Sequence, residues 1–168
     1  MHIHSYEKIW LAASVLLILF LLGSVTYGAV GPGVAMVSDT EPAIDAGALD
    51  EDERFSEPRV EQVGENEYEV YVVARQFGFQ PDPIVVPANS TVTFYVTSAD
   101  VIHGFEVAGT NANTMVVPGE VSEITVETDD PAEYGIVCNE YCGAGHHAME
   151  GKLNVVSQSE FESGGDGE

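Results

Sequence analysis

Residues 138–149 read Cys-Asn-Glu-Tyr-Cys-Gly-Ala-Gly-His-His-Ala-Met, which places soft donors at Cys138, Cys142, His146 and Met149. Two thiols, an imidazole and a thioether within reach of one loop suit copper. Thiolate and thioether are soft and imidazole is borderline, whereas a hard ion would need clustered carboxylates. A blue-copper centre holds one ion through a single thiolate, but a pair of thiolates can bridge two. Each copper would share both sulfurs, take one imidazole and keep one weak axial ligand. The second imidazole must then come from elsewhere, and His103, in the strand-like run Asp-Val-Ile-His-Gly-Phe, is the candidate. Met149 can cap one copper and a main-chain carbonyl within 138–142 the other.

Other chemistries use cysteines four apart. Outside the cytoplasm such a pair can form a disulfide. It can also bind zinc, or serve as the redox pair of a copper chaperone. The continuation to His146 and Met149 weighs against these, because a structural zinc site has no use for a thioether and a disulfide has no use for either residue.

The run Cys-x-Glu-x-Cys-Gly-x-x-His-x-x-Met, with Asp-Val-Ile-His upstream, resembles the binuclear CuA domain of subunit II of haem-copper cytochrome c oxidases. The resemblance implies that Cys138 and Cys142 bridge two coppers and that His103 and His146 each bind one. It makes Met149 and the main-chain carbonyl of Glu140 the weak axial ligands. It also implies a magnesium ion held by the Glu140 side chain against subunit I. A membrane-tethered copper chaperone exchanging thiols at Cys138 and Cys142 is the rival reading, and it would sit better on a thioredoxin-like α/β fold. A second rival is an anchored adhesion module with a Cys138–Cys142 disulfide.

Such a loop needs a stiff support. Residues 59–156 carry strand signals throughout: runs 60–63 and 68–73 flank the break Gly64-Glu65-Asn66, and Val92, Phe94 and Val96 alternate with Thr91, Thr93, Tyr95 and Thr97. Ile124 and Val126 alternate with polar neighbours in the same way. Period two means one buried face and one wet face, and Pro83, Pro87, Pro118-Gly119 and Asp129-Asp130-Pro131 punctuate the strands at β-sandwich spacing. The fold class is therefore all-β, and the resemblance makes it a cupredoxin-like Greek-key sandwich with the metal loop joining its last two strands. No helix is expected after the N-terminal one.

The 168 residues leave room for appendages. Residues 9–30 carry no charge over 22 positions, roughly 33 Å as a helix, enough to cross a bilayer core. Residues 1–30 thus read as an N-terminal segment and membrane anchor. Lys8 before the span and acids after it place the N-terminus in the cytoplasm and the copper domain outside the cell membrane. Having one span, the chain resembles the B-type branch of the family, as does Tyr6-Glu7-Lys8-Ile9-Trp10-Leu11-Ala12. There the glutamate marks proton entry, so Glu7 becomes a candidate for proton uptake; alternatively it is a carboxylate at a helix N-terminus. The same resemblance puts Phe77 where an electron donor docks. Residues 31–58 read as an acidic linker broken by Gly31-Pro32-Gly33, Pro42 and Pro58, and residues 157–168 as a polar acidic tail, disordered at its Ser-Gly-Gly-Asp-Gly-Glu end. His147 is expected to face solvent or support a ligand, His2 and His4 to be inert, Met36 and Met115 to be linker or packing residues. Asn89-Ser90-Thr91 is a glycosylation sequon.

Asp and Glu total 28 against 5 Lys and Arg, a net charge of −23. No basic face exists to meet phosphate, which excludes nucleic acid as a partner. So acidic a surface fits work in very high salt, where screening shortens to about 3 Å at 1 M. With the copper-donor loop, the family resemblance implies an electron-entry subunit of a terminal oxidase. It takes single electrons from an extracytoplasmic cytochrome c or small blue-copper protein and passes them to haem in subunit I. Sharing each electron over two ions keeps the reorganisation small.

Overall fold

The computed structural model describes residues 4–30, 36–38 and 43–164. It divides into two compact units, Met1–Val34 and Ala35–Glu168.

The first unit is helix α1, Ser5–Val30. Glu7 Oε2 accepts the His4 main-chain N–H at 2.8 Å, satisfying one of the donors that a helix start leaves open. Ser5–Tyr27 has a mean hydropathy of 2.4 and none of that window is buried within the protein. Its Leu, Ile and Phe side chains point outward on all sides, Phe20 at 78% exposure. Around a continuous apolar helix of this length a lipid environment satisfies the side chains, while the backbone pairs with itself.

The second unit runs β1 Met36–Ser38, β2 Val60–Gly64, β3 Glu67–Arg75, β4 Gly78–Gln80, β5 Ile84–Pro87, β6 Ser90–Ser98, β7 His103–Val107, β8 Asn113–Val116, β9 Ser122–Thr128, β10 Ala132–Val137, β11 Glu150–Val156 and α2 Gln158–Gly164. One sheet has the order β1-β9-β6-β3-β2 with β4 also on β3; the other is β5-β11-β10-β7-β8. The alternation read in β6 holds as far as Val96, with Val92, Phe94 and Val96 fully buried, and breaks at Thr97, which is buried too and donates to the Glu120 carbonyl. Between the sheets the three apolar residues meet Phe105, Ile136, Leu153 and Val155, and Phe105 lies 5.6 Å from the rings of both Phe79 and Phe94. Each such side chain contributes about 1.5–3 kcal/mol by leaving water. The predicted hairpin at residues 64–66 joins β2 to β3, with Asn66 at φ 65°.

Three expectations change. Residues 43–58, predicted to be linker, fold onto the sandwich: Leu49 and Phe55 are buried against Tyr71, Val73 and Val121. Arg59 fixes them by donating to the carbonyls of Glu53, Arg54 and Glu57 and stacking over Tyr71. Residues 36–38 add an edge strand on β9. Gly31-Pro32-Gly33 and Pro42 lie outside the described residues, as does His2. The tail likewise begins as helix α2, because Phe161 packs edge-on against Tyr68 at 5.3 Å and the Ser157 carbonyl and hydroxyl accept the first free amides. Its last four residues lie outside the described part. Met115 is 56% exposed on β8 rather than packed.

Candidate metal centre

Strands β10 and β11 form an antiparallel pair from Ala132↔Val155 to Val137↔Glu150, and residues 138–149 are the loop between them. Cys138 N–H donates to the Met149 carbonyl at 3.2 Å, closing the neck. Within the loop a single turn of 3-10 helix, His146–Ala148, is held by His146 N–H on Gly143 and Ala148 N–H on Gly145. Gly143 takes φ +133°, a backbone state that suits glycine. On the other side β7 pairs with β10 through Val137↔Glu106, which carries His103, the first residue of β7, alongside the start of the loop. The approach is tight: a Cβ on Gly104 would lie 2.9 Å from the Asn139 main-chain nitrogen. The Asn139 amide donates to Glu106 at 2.9 Å and to Asn113 at 3.1 Å, pinning the loop to β7 and β8.

This brings together five of the predicted donors and one carbonyl. Cys138 and Cys142 are free thiols with sulfurs 3.8 Å apart. His103 Nδ1 lies 3.8 Å from Cys138 Sγ, and His146 Nδ1 lies 3.7 Å from Cys142 Sγ. The Glu140 carbonyl is 3.1 Å from Cys138 Sγ, and Met149 Sδ is 3.5 Å from Cys142 Sγ. Each sulfur thus has its own imidazole and its own weak donor. His103, Cys138, Cys142 and Met149 are buried at 0%, 7%, 4% and 3% exposure, the three sulfur residues joined to the inter-sheet core. A soft, dry, mixed sulfur and nitrogen donor set of this kind fits copper and offers a hard ion nothing.

Burial, then the hydrogen bond and charge of Cys138, pushes the Cys142 thiol up to about 11. Without a metal the Cys142 thiol stays protonated at neutral pH, and a metal that binds there must displace the proton. Behind His103, Nε2 meets Asp100 Oδ1 at 2.7 Å, leaving Nδ1 facing the sulfur. Burial opposes ionisation of Asp100, yet the hydrogen bonds from Gln76 N–H, His103 and Val101 N–H outweigh it and hold the carboxyl below the usual range. A carboxylate behind an imidazole fixes tautomer and orientation and raises the basicity of the facing nitrogen.

The remaining candidates sit elsewhere. Phe77 is 42% exposed, its ring lying over the metal loop where Cβ atoms on Gly143 and Gly145 would be. Tyr141, 74% exposed, faces His146 edge-on at 5.7 Å. Glu140 turns its carboxylate onto the Tyr141 N–H at 3.2 Å and is exposed. His147 is exposed, and His4 stacks on Tyr6 outside the sandwich unit. Sequence reasoning missed the supporting roles of Asp100, Asn139 and Gln76; a carboxylate three residues before a candidate ligand was the available signal.

A two-sheet sandwich with a soft-donor loop between its last strands defines a cupredoxin-like electron-transfer domain. Residues 69–156 match the family described as cytochrome c oxidase subunit II, periplasmic domain. A cytochrome c oxidase subunit 2 of Thermus thermophilus is 40% identical over 161 residues, covering 90% of this chain and 92% of the relative. A chain in a cryo-EM structure of a haem-copper terminal oxidase dimer is 33% identical, with a TM-score of 0.65 over 89% of this chain and 99% of its own. The periplasmic domain of subunit II of the Bradyrhizobium japonicum oxidase, 23% identical, shares the fold at a TM-score of 0.55 over 61% of this chain and 93% of its own. The chain belongs to the cytochrome c oxidase subunit II family. It is the electron-entry subunit of a haem-copper terminal oxidase, associates with subunit I, and combines one apolar N-terminal helix with an extracytoplasmic domain.

Proposed function

We propose that Cys138 and Cys142 bridge two copper ions, with His103 and His146 bound one to each through Nδ1. Met149 and the Glu140 carbonyl are the axial ligands. The observation that carries this is the pairing of donors around the sulfurs: one imidazole and one weak ligand beside each thiol. Bound there, a copper pair supplies a one-electron acceptor whose charge is spread over two ions. The chain's own part is to hold the donors still and dry. His103 is fixed by a strand and a carboxylate, the loop is closed at its neck, and burial of the sulfurs excludes water.

Electrons come from a cytochrome c or a small blue-copper protein, entering near Phe77, whose exposed ring touches the loop that carries Cys142 and His146. Glu140 supplies one exposed carboxylate to a magnesium ion shared with subunit I. The single span with a cytoplasmic N-terminus, and Glu7 as a site of proton uptake, follow the B-type resemblance; capping of the helix start is compatible with that role. The acid excess adapts the surface to high salt, so the melting temperature of the full chain should rise between dilute buffer and molar salt. An unchanged value would remove that part. A copper chaperone is the weaker reading, since its α/β framework is absent from the described residues and Met149 would be superfluous.

The test is Cys142→Ser in the assembled oxidase. The copper absorption should disappear, and a reduced donor should no longer reduce the haem of subunit I. An unchanged copper spectrum would reject the bridging role.

A further inference from the structure

The sulfur pair lies on the loop after β10 and His103 at the start of β7, and the route by which they are tied together passes through a residue that the ligand set does not include. Gln76 follows β3. Its main-chain N–H donates to Asp100 Oδ2 at 2.8 Å, while the other oxygen of the same carboxylate meets His103 Nε2 at 2.7 Å. Its side-chain amide donates to the main-chain carbonyl of Cys142. A Cβ on Gly143 would lie 2.7 Å from Gln76 Nε2, so the glycine is what admits the amide to this carbonyl. Phe77, the next residue, lies over Gly143 and Gly145. One dipeptide therefore grips the metal loop with a hydrogen bond and a ring, and the same residue grips, through Asp100, the histidine opposite.

We infer that Gln76 is a positioning residue of the metal centre, setting the spacing between the Cys142 side and the His103 side through the link Cys142 carbonyl, Gln76, Asp100, His103. The physical need is plain. A loop twelve residues long, with glycines at 143 and 145, can hold two sulfurs at a fixed separation only if its far side is anchored. The neck bond of Cys138 anchors one end of the thiol pair and Asn139 reinforces it. At Cys142 the corresponding anchor is the Gln76 amide. Gln76 itself is exposed, so altering it leaves the core intact.

This inference rests on the copper-binding reading, and the test separates the two. Full-length chain carrying Gln76→Met or Gln76→Glu would be compared with the unaltered chain. Both substitutions keep the length of the side chain, and neither a thioether nor an ionised carboxylate has a proton to donate to the Cys142 carbonyl. In the metal-free form the amides of residues 142–148 should exchange hydrogen faster in both variants while the amides of β6 and β10 are unchanged. After loading with copper, loss to a chelator should be roughly tenfold faster in both, the low end for removing a group that orients a ligand. Equal exchange and equal copper retention in the variants and the unaltered chain would overturn the inference. If the unaltered chain takes up no copper, the failure is of the metal reading, and the exchange data alone decide the tie.

Discussion

His103 is fully buried on a strand, with its far nitrogen held by Asp100 at 2.7 Å, whereas His146 is partly exposed on a one-turn segment of loop and faces the exposed ring of Tyr141. The two imidazoles approach the sulfurs to nearly the same distance, 3.8 and 3.7 Å. Their equivalence is thus a matter of geometry and not of support. On the His103 side the donor is positioned before any metal arrives, by β7, Gly104 and a carboxylate. On the His146 side it is positioned by the short turn and by whatever steadies the loop. An electron-transfer site gains from the first kind of support, because fixed ligands change little between oxidation states; the second kind leaves an edge of the site near the surface, where partners can reach it.

That contrast can be broken from either side. His103→Ala removes a fully buried ring and, with it, one of the hydrogen bonds to the Asp100 carboxylate. It should cost about 2–4 kcal/mol of stability in the metal-free chain, while His146→Ala should leave the melting temperature within about 2 °C. Equal losses in thermal unfolding would mean that the strand side is no better founded than the loop side. Next in size is Gly104→Ala. Its Cβ would crowd the Asn139 nitrogen at 2.9 Å, and displacing the loop from β7 should cost about 1–3 kcal/mol; Gly135→Ala, which meets nothing nearby, is the control. Smallest is Met149→Leu, a swap of similar volume costing less than about 1.5 kcal/mol. It should keep the copper pair and shift its reduction potential, measured by spectroelectrochemical titration, because a weak axial ligand tunes the potential more than it holds the metal.

A pair away from the metal loop shows what burial beside a carboxylate does to an ordinary group. The Tyr71 hydroxyl donates to Glu69, and burial followed by that carboxylate raises its pKa well above the usual phenol value. The raised value means that the neutral form stabilises the fold. The contribution is complete below about pH 10 and is lost as the pH climbs through the folded value. Tyr71→Phe should accordingly flatten the alkaline limb of the stability profile.

The metal loop was legible because its donors are close in the sequence and chemically distinctive: no common structural use joins Cys138, Cys142, His146 and Met149. The sandwich was legible through the alternation in β6, where a half-buried strand leaves a period-two trace. What escaped reading is what distance in sequence hides. Gln76 and Cys142 are 66 residues apart, and neither residue type advertises the contact. Leu49 and Phe55 lie in a stretch so acidic that its composition spoke for a solvated linker, yet two apolar side chains and the reach of Arg59 were enough to dock it. In the tail a single aromatic, Phe161, did the same for α2. Composition averages over such isolated anchors, and packing does not.

The most direct measurement is the metal content and the electron-spin spectrum of the full chain after copper loading and removal of loosely held ions. Two coppers per chain, with a hyperfine pattern from one unpaired electron shared by both nuclei, are predicted. One copper, with its electron confined to a single nucleus, would contradict the paired site on which electron entry by this chain depends.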